Sequence, residues 1–269
     1  MEILNKYNTD NNILFECIGI TLKSDNDISY KLYNMKRSNI SINDISLPDS
    51  VYEFIRKKES EKNEMKFFGF SERQDNTYSI TFSVTDKFSL NEKHLEISGK
   101  IREIFKTKDF PLFQTGYLLN KSGVITESKY YYTLNQNKNN MTAHMKMKFV
   151  IDNKQKICSF IEENISGISA QTAERFMDVF VKYQFRPFMF GINETQETSE
   201  NKLYFIFNKS EPLEIQKFLS LSLLKEIDIF DYISDCFEIL YANNLFLKGF
   251  SLSYMYGKPV WRLYFYPKR

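Results

Sequence analysis

Four short segments place a cation two residues ahead of a tyrosine: Lys31-Leu32-Tyr33, Lys129-Tyr130-Tyr131, Lys202-Leu203-Tyr204 and Arg262-Leu263-Tyr264. A fifth, Ser79-Ile80-Thr81, keeps the spacing with hydroxyls in both places. Residues i and i+2 of a strand project from one face, so each segment would present its two polar groups side by side. Ammonium and guanidinium groups form charge-assisted hydrogen bonds to phosphate oxygens, and the face of a phenol ring attracts a cation. Cations that hold a departing diphosphate, beside rings that shield an allyl cation from water, are the groups that ionisation of an allylic diphosphate requires.

The elements that must position these residues recur with them. Strands are expected in pairs at 13–22 and 28–35, 65–73 and 77–85, 111–119 and 124–134, 186–194 and 201–207, and 245–254 and 259–266. The first strand of each pair carries a glycine followed by a large apolar residue: Gly19-Ile20, Gly69-Phe70, Gly116-Tyr117, Gly191-Ile192 and Gly249-Phe250. Helical patterns fall between the pairs. One begins at Val51 after Leu47-Pro48-Asp49-Ser50, and one spans 89–106 with Leu95, Ile97, Ile101, Ile104 and Phe105 at helical spacing. Others fall near 154–165, 170–183, 211–224 and 226–242. The glycines are unevenly spaced, so the chain is not a solenoid.

In the second strands the residues between the paired positions are apolar: Ile80 and Phe82, Tyr130 and Tyr132, Leu203 and Phe205, Leu263 and Phe265. Helices would cover that face. The expected fold is therefore α+β: a closed ten-stranded antiparallel barrel of five ββ hairpins wrapped by α-helices, one domain over residues 1–269. Closure removes exposed strand edges, and ten strands leave a lumen wider than side chains fill. The cation–tyrosine face would line it, together with Thr21, Ser71, Asn193, Ser251 and Ser253 on the glycine strands. For any single hairpin the alternative is a solvated sheet face with aromatic cross-strand pairs; the concordance of the copies favours the lumen.

Composition bounds the partners. Thirty-six basic and 34 acidic residues leave a net charge of +2, without the surplus that nucleic acid or a membrane surface would attract. Three cysteines, Cys17, Cys158 and Cys236, lack CxxC spacing and suggest a reducing compartment. With no signal-peptide h-region at Met1-Glu2-Ile3-Leu4 and no apolar run of membrane-spanning length, a cytoplasmic monomer is expected. There is no DDxxD motif, which disfavours the helical isoprenoid synthases, and no P-loop or dinucleotide fingerprint. His94 and His144 have no ligand partners at metal-binding spacing and are expected at the surface, with His144, Lys146 and Lys148 on a solvated edge if that stretch is extended.

On the glycine-containing strands and on Asn201-Lys202-Leu203-Tyr204-Phe205-Ile206-Phe207-Asn208-Lys209 and Trp261-Arg262-Leu263-Tyr264-Phe265-Tyr266-Pro267-Lys268, the sequence resembles the ABBA aromatic prenyltransferases, and most nearly the cyanobactin-type peptide prenyltransferases. The likeness runs from about residue 13 to the end and is one of pattern. It implies a ten-strand barrel and transfer of a dimethylallyl or geranyl group from its diphosphate to a nucleophilic side chain or aromatic ring. Tyr or Trp of a peptide is the expected acceptor. Lys31, Lys129, Lys202 and Arg262 would bind the diphosphate, and Tyr33, Tyr131, Tyr204 and Tyr264 would shield the cation. No cofactor is implied, although Mg²⁺ can accompany a diphosphate.

The acceptor's proton needs a base. The resemblance points to Glu16, which matches that family's first-strand glutamate, although its parity with Ile18 and Ile20 means that a bulge must turn it inward. Parity points instead to Glu127, two residues before Lys129; Glu200, two before Lys202, shares it. Either could equally be a rim carboxylate paired with its lysine. A lumen of cations without a carboxylate ring wants an anion. A barrel that binds a small anionic or aromatic ligand without chemistry is the alternative function.

Overall fold

Alternation of side chains along ten strands builds one closed antiparallel barrel with seven helices among the described residues. The computed structural model of the chain describes residues 17–23, 28–35, 47–61, 65–73, 77–85, 87–135, 141–208, 212–255 and 257–267. The strands are β1 (Cys17–Leu22), β2 (Ile28–Met35), β3 (Met65–Arg73), β4 (Tyr78–Val84), β5 (Leu112–Leu119), β6 (Ile125–Thr133), β7 (Phe185–Glu194), β8 (Ser199–Phe207), β9 (Leu245–Met255) and β10 (Lys258–Pro267). Each pairs with its neighbours in sequence, and β10 closes on β1 with Gly19 opposite Tyr264 and Thr21 opposite Arg262.

Helices join one hairpin to the next. They are α1 (Asp49–Glu61), α2 (Glu92–Phe105), α3 (Ala143–Asp152), α4 (Lys154–Asn164), α5 (Ala170–Lys182), α6 (Leu213–Glu226) and α7 (Ser234–Ala242). Side-chain caps fix three of their starts: Asn91 accepts from the His94 amide, Thr142 from Met145 and Ser169 from Thr172. The stretch from His144 to Lys148 is thus helical and not an extended edge, because Thr142 caps a turn that buries Met147 and Val150. The expected long helix over 226–242 begins only at Ser234, after a turn through Asp228 at φ 57°.

The apolar faces of the strands and helices meet outside the barrel. Phe180 of α5 packs on Phe205 and Phe250 at 4.5 and 4.9 Å between ring centres, and Phe176 packs on Trp261. Phe160 of α4 meets Phe190, Phe237 of α7 meets Phe265, and Phe54 of α1 meets Phe82 and Tyr117. This shell is the hydrophobic core. The opposite face of every strand is left to the lumen. No helix among the described residues is long and apolar enough to cross a membrane.

Candidate functional site

The lumen holds a cavity of about 320 Å³. Lys31, Lys129, Lys202 and Arg262 line it, as do Tyr33, Tyr131, Tyr204 and Tyr264. The eight residues of the cation–tyrosine pattern therefore converge on one space. Lys129, Lys202 and Arg262 are 3%, 5% and 9% exposed, so their charges are withdrawn from bulk water and must be answered inside the barrel.

Two carboxylates answer part of that charge. Glu200 bridges the later strands: one oxygen lies 2.8 Å from the Lys202 ammonium, and the other accepts from Arg262 at 2.7 Å and from Ser253 at 2.6 Å. Ser253 in turn accepts from the second guanidinium nitrogen of Arg262 at 2.8 Å. Glu127 stands 3.7 Å from Lys129, whose ammonium also donates to Ser79 at 2.6 Å. Both glutamates have the lumen parity assigned to them, and each is paired with the lysine two residues on, as one of the two readings of them allowed. Neither lines the cavity, which begins at the cations and extends away from the carboxylates.

Electrostatics follow the geometry. Burial would raise the Glu200 carboxyl, but Lys202 and Arg262 outweigh it and hold the group well below the usual carboxylate range. Burial, joined by the repulsion of Arg262, lowers Lys202 to about 8 against the pull of Glu200 and Glu127. Burial would lower Arg262, but Glu200, together with Tyr264 and Tyr204, outweighs it and raises the group. Desolvation raises the phenols of Tyr33, Tyr204 and Tyr264, which are therefore neutral hydroxyls.

Next to the cations the tyrosines form a girdle. Tyr33 meets Tyr264 edge to face at 5.8 Å, Tyr264 stacks on Tyr204 at 6.0 Å, and Tyr204 meets Tyr131 at 6.2 Å. Two of the repeat glycines make room for these rings. A Cβ on Gly19 would lie 2.6 Å from the Tyr33 ring, and one on Gly191 would lie 2.9 Å from the ring of Tyr204.

Beyond the girdle four β-bulges add side chains that the alternation did not anticipate. The register shifts skip Phe68 in β3, Phe113 in β5, Phe188 in β7 and Lys248 in β9, and all four line the cavity. An extra residue reverses the parity of what precedes it and re-aims a side chain inward. The result is a largely aromatic and aliphatic collar, completed by Met189, Ile206 and Tyr266, in which Lys248 and Gln114 are the polar members, where the strands meet the helical connections. The only sequence signal for it is the glycine one or three residues later in each strand.

Glu16 lies outside the described residues. Among the described residues no three His, Cys, Asp or Glu side chains gather into a metal cage. His94, expected at the surface, is 1% exposed: its Nδ1 pairs with the Tyr132 hydroxyl, its Nε2 is 3.4 Å from Glu194, and its ring rests on Tyr130 at 4.0 Å. It occupies the buried stripe of α2 with Ile97, Ile101 and Phe105, whereas Leu95 is 58% exposed. His94 belongs to the outer shell and not to the cavity. No protein family's sequence profile matches the chain, and no curated protein is detectably similar to it in sequence.

Proposed function

We propose that the chain is a prenyltransferase that moves a dimethylallyl or geranyl group from its diphosphate to a nucleophilic side chain or aromatic ring, with Tyr or Trp of a peptide as the acceptor. The observation that carries this reading is the order of layers in one cavity: cations at Lys129, Lys202 and Arg262, then the tyrosine girdle, then a collar of Phe68, Phe113, Phe188, Met189 and Ile206 that also carries Lys248 and Gln114. The cations take the diphosphate as its C–O bond to the allyl group breaks, and their charge offsets the negative charge that develops on the leaving oxygen. The allyl cation is left against the faces of Tyr131, Tyr204 and Tyr264, where water is excluded and the ring quadrupoles favour positive charge. The acceptor enters past the collar and attacks the cation, and the proton that its hydroxyl or ring carbon gives up passes to the released diphosphate. At about 320 Å³ the cavity is at the lower end of the range for small-molecule sites, roughly 300–1,000 Å³. The reading needs no metal cage in the protein; Mg²⁺, where it takes part, arrives with the donor.

The test is incubation with dimethylallyl and geranyl diphosphates and a panel of Tyr- and Trp-containing peptides, followed by mass spectrometry with and without EDTA. Acceptors heavier by one prenyl group support the reading, and donor left intact with every acceptor overturns it. A second reading is a non-catalytic barrel that binds a small aromatic or anionic ligand. Glu200 and Glu127 favour it, since they already answer part of the cationic charge. Tight binding of such ligands by a protein that consumes no donor would establish it.

A further inference from the structure

Glu200 stands behind the cation layer and does not line the cavity, yet its carboxylate spans two cations from different strands. The charged groups about Lys202 among the described residues are Glu200 on its own strand β8, Arg262 from β10, and Glu127 and Lys129 from β6, with Lys31 from β2 and, at the collar, Lys248 from β9 lining the same cavity. The adjoining strands β7 and β9 bring only Asn193, Ser251 and Ser253 to this level, besides the neutral phenols of the girdle. Lys202 and Arg262 repel each other in a dry site, and an amine can escape that repulsion by giving up its proton, whereas a guanidinium cannot.

We propose that Glu200 is a positioning residue for the donor's diphosphate: by bonding Lys202 through one carboxylate oxygen and Arg262 through the other, it keeps the amine protonated and both cations aimed at a common anion. This rests on the reading of the cations as a diphosphate site. Ser253 fixes the carboxylate from the far side, accepting from Arg262 and donating to Glu200. Without the carboxylate charge, Lys202 faces burial and Arg262 with only the more distant Glu127 to oppose them. Its proton is then lost at a lower pH than in the parent.

Calorimetric titration of the full chain with inorganic pyrophosphate from pH 6 to pH 9 tests this. The ratio of affinities between Glu200→Gln and the parent cancels the titration of pyrophosphate itself. At pH 6 the variant should bind at least as tightly as the parent, because a like charge near the anion has been removed. At pH 8.5 it should bind about tenfold more weakly, since each pH unit above an amine's pKa lowers its charged fraction about tenfold. Adding Lys202→Arg to Glu200→Gln should flatten the ratio, because arginine stays charged throughout. Should Glu200→Gln not fold, Glu200→Asp, whose shorter arm can serve one cation only, should shift the profile in the same direction. A ratio that does not change with pH overturns the proposal and leaves the diphosphate site standing. A folded parent that binds no pyrophosphate at any pH overturns the diphosphate site, and this proposal with it.

Discussion

The ammonium of Lys129 on β6 donates to the hydroxyl of Ser79 on β4 at 2.6 Å, reaching across the intervening strand β5. Both side chains are buried. The one segment of the repeat without a cation thus supplies an acceptor for its neighbour's. Ser79→Ala should destabilise the protein by ~1.5–3 kcal/mol, the usual worth of a hydrogen bond to a charged group, which lowers Tm on the order of 5 °C in a chain of this size. Thermal melting checks this; an unchanged Tm would mean that Ser79 contributes nothing to holding the ammonium.

Lys202 and Arg262 should each be needed for donor binding. Truncation of either to alanine removes a charge-assisted partner worth ~1.5–3 kcal/mol, or roughly 10- to 100-fold in affinity. Truncation also leaves Glu200 with one buried partner fewer, so each variant should melt earlier. Titration of folded variants with a non-ionisable donor analogue separates the two effects. Unchanged affinity in both would place the anion site elsewhere.

Most of this site is written in the alternation of the strands. Lys202 and Tyr204 share a face while Leu203 and Phe205 share the other, and five such segments are enough to infer a closed sheet and a polar lumen. The collar was illegible for a physical reason: a bulge is one inserted residue, which leaves composition unaltered and reverses parity locally. Phe68 follows Phe67 with no break in hydrophobicity, yet Phe67 is buried in the outer core and Phe68 lines the cavity. The glutamates were ambiguous because parity places a side chain on a face without saying what it touches there. His94 was hidden by its polarity, although it falls at the same helical spacing as Ile97, Ile101 and Phe105.

That buried histidine predicts a pH dependence of stability. Burial lowers His94 below its usual 6.5, against the pull of Glu194. The Tyr132 phenol is raised by burial and keeps its proton, so it donates to Nδ1 while Nε2–H faces the Glu194 carboxylate. The unfolded chain takes up a proton near 6.5 where the folded chain resists it, so the contribution of His94 is present above that pH and is lost as pH falls below it. Burial would raise Glu194, but Lys93 and His94 together outweigh it and hold the carboxyl below its usual 4.5; its contribution is lost only at lower pH. Between pH 7 and pH 5.5 the parent should therefore lose more stability than His94→Gln. Parallel denaturation curves across that window would exclude His94 as the source.

The tyrosines decide between an enzyme and a binder. Tyr264 occupies the centre of the girdle, with Tyr33 at 5.8 Å on one side and Tyr204 at 6.0 Å on the other, and its hydroxyl lies 3.4 Å from Ser251. Tyr264→Phe keeps the ring face and gives up only the hydroxyl's interactions with Ser251 and Tyr204, so cation stabilisation should largely survive. Tyr264→Ala removes the ring and opens the lumen beside Arg262 to water. A cation–π contact in a desolvated site is worth about 2 kcal/mol or more. Realised only in the transition state, that is over tenfold in rate. Prenyl transfer should therefore persist in Tyr264→Phe, whereas Tyr264→Ala should lose about tenfold or more and divert donor to the water-quenched prenyl alcohol. Loss of the ring also leaves a void, so the comparison belongs on protein shown to be folded. If folded Tyr264→Ala and Tyr204→Ala both transferred prenyl groups at the parent rate without extra alcohol, the girdle would have no part in shielding the cation.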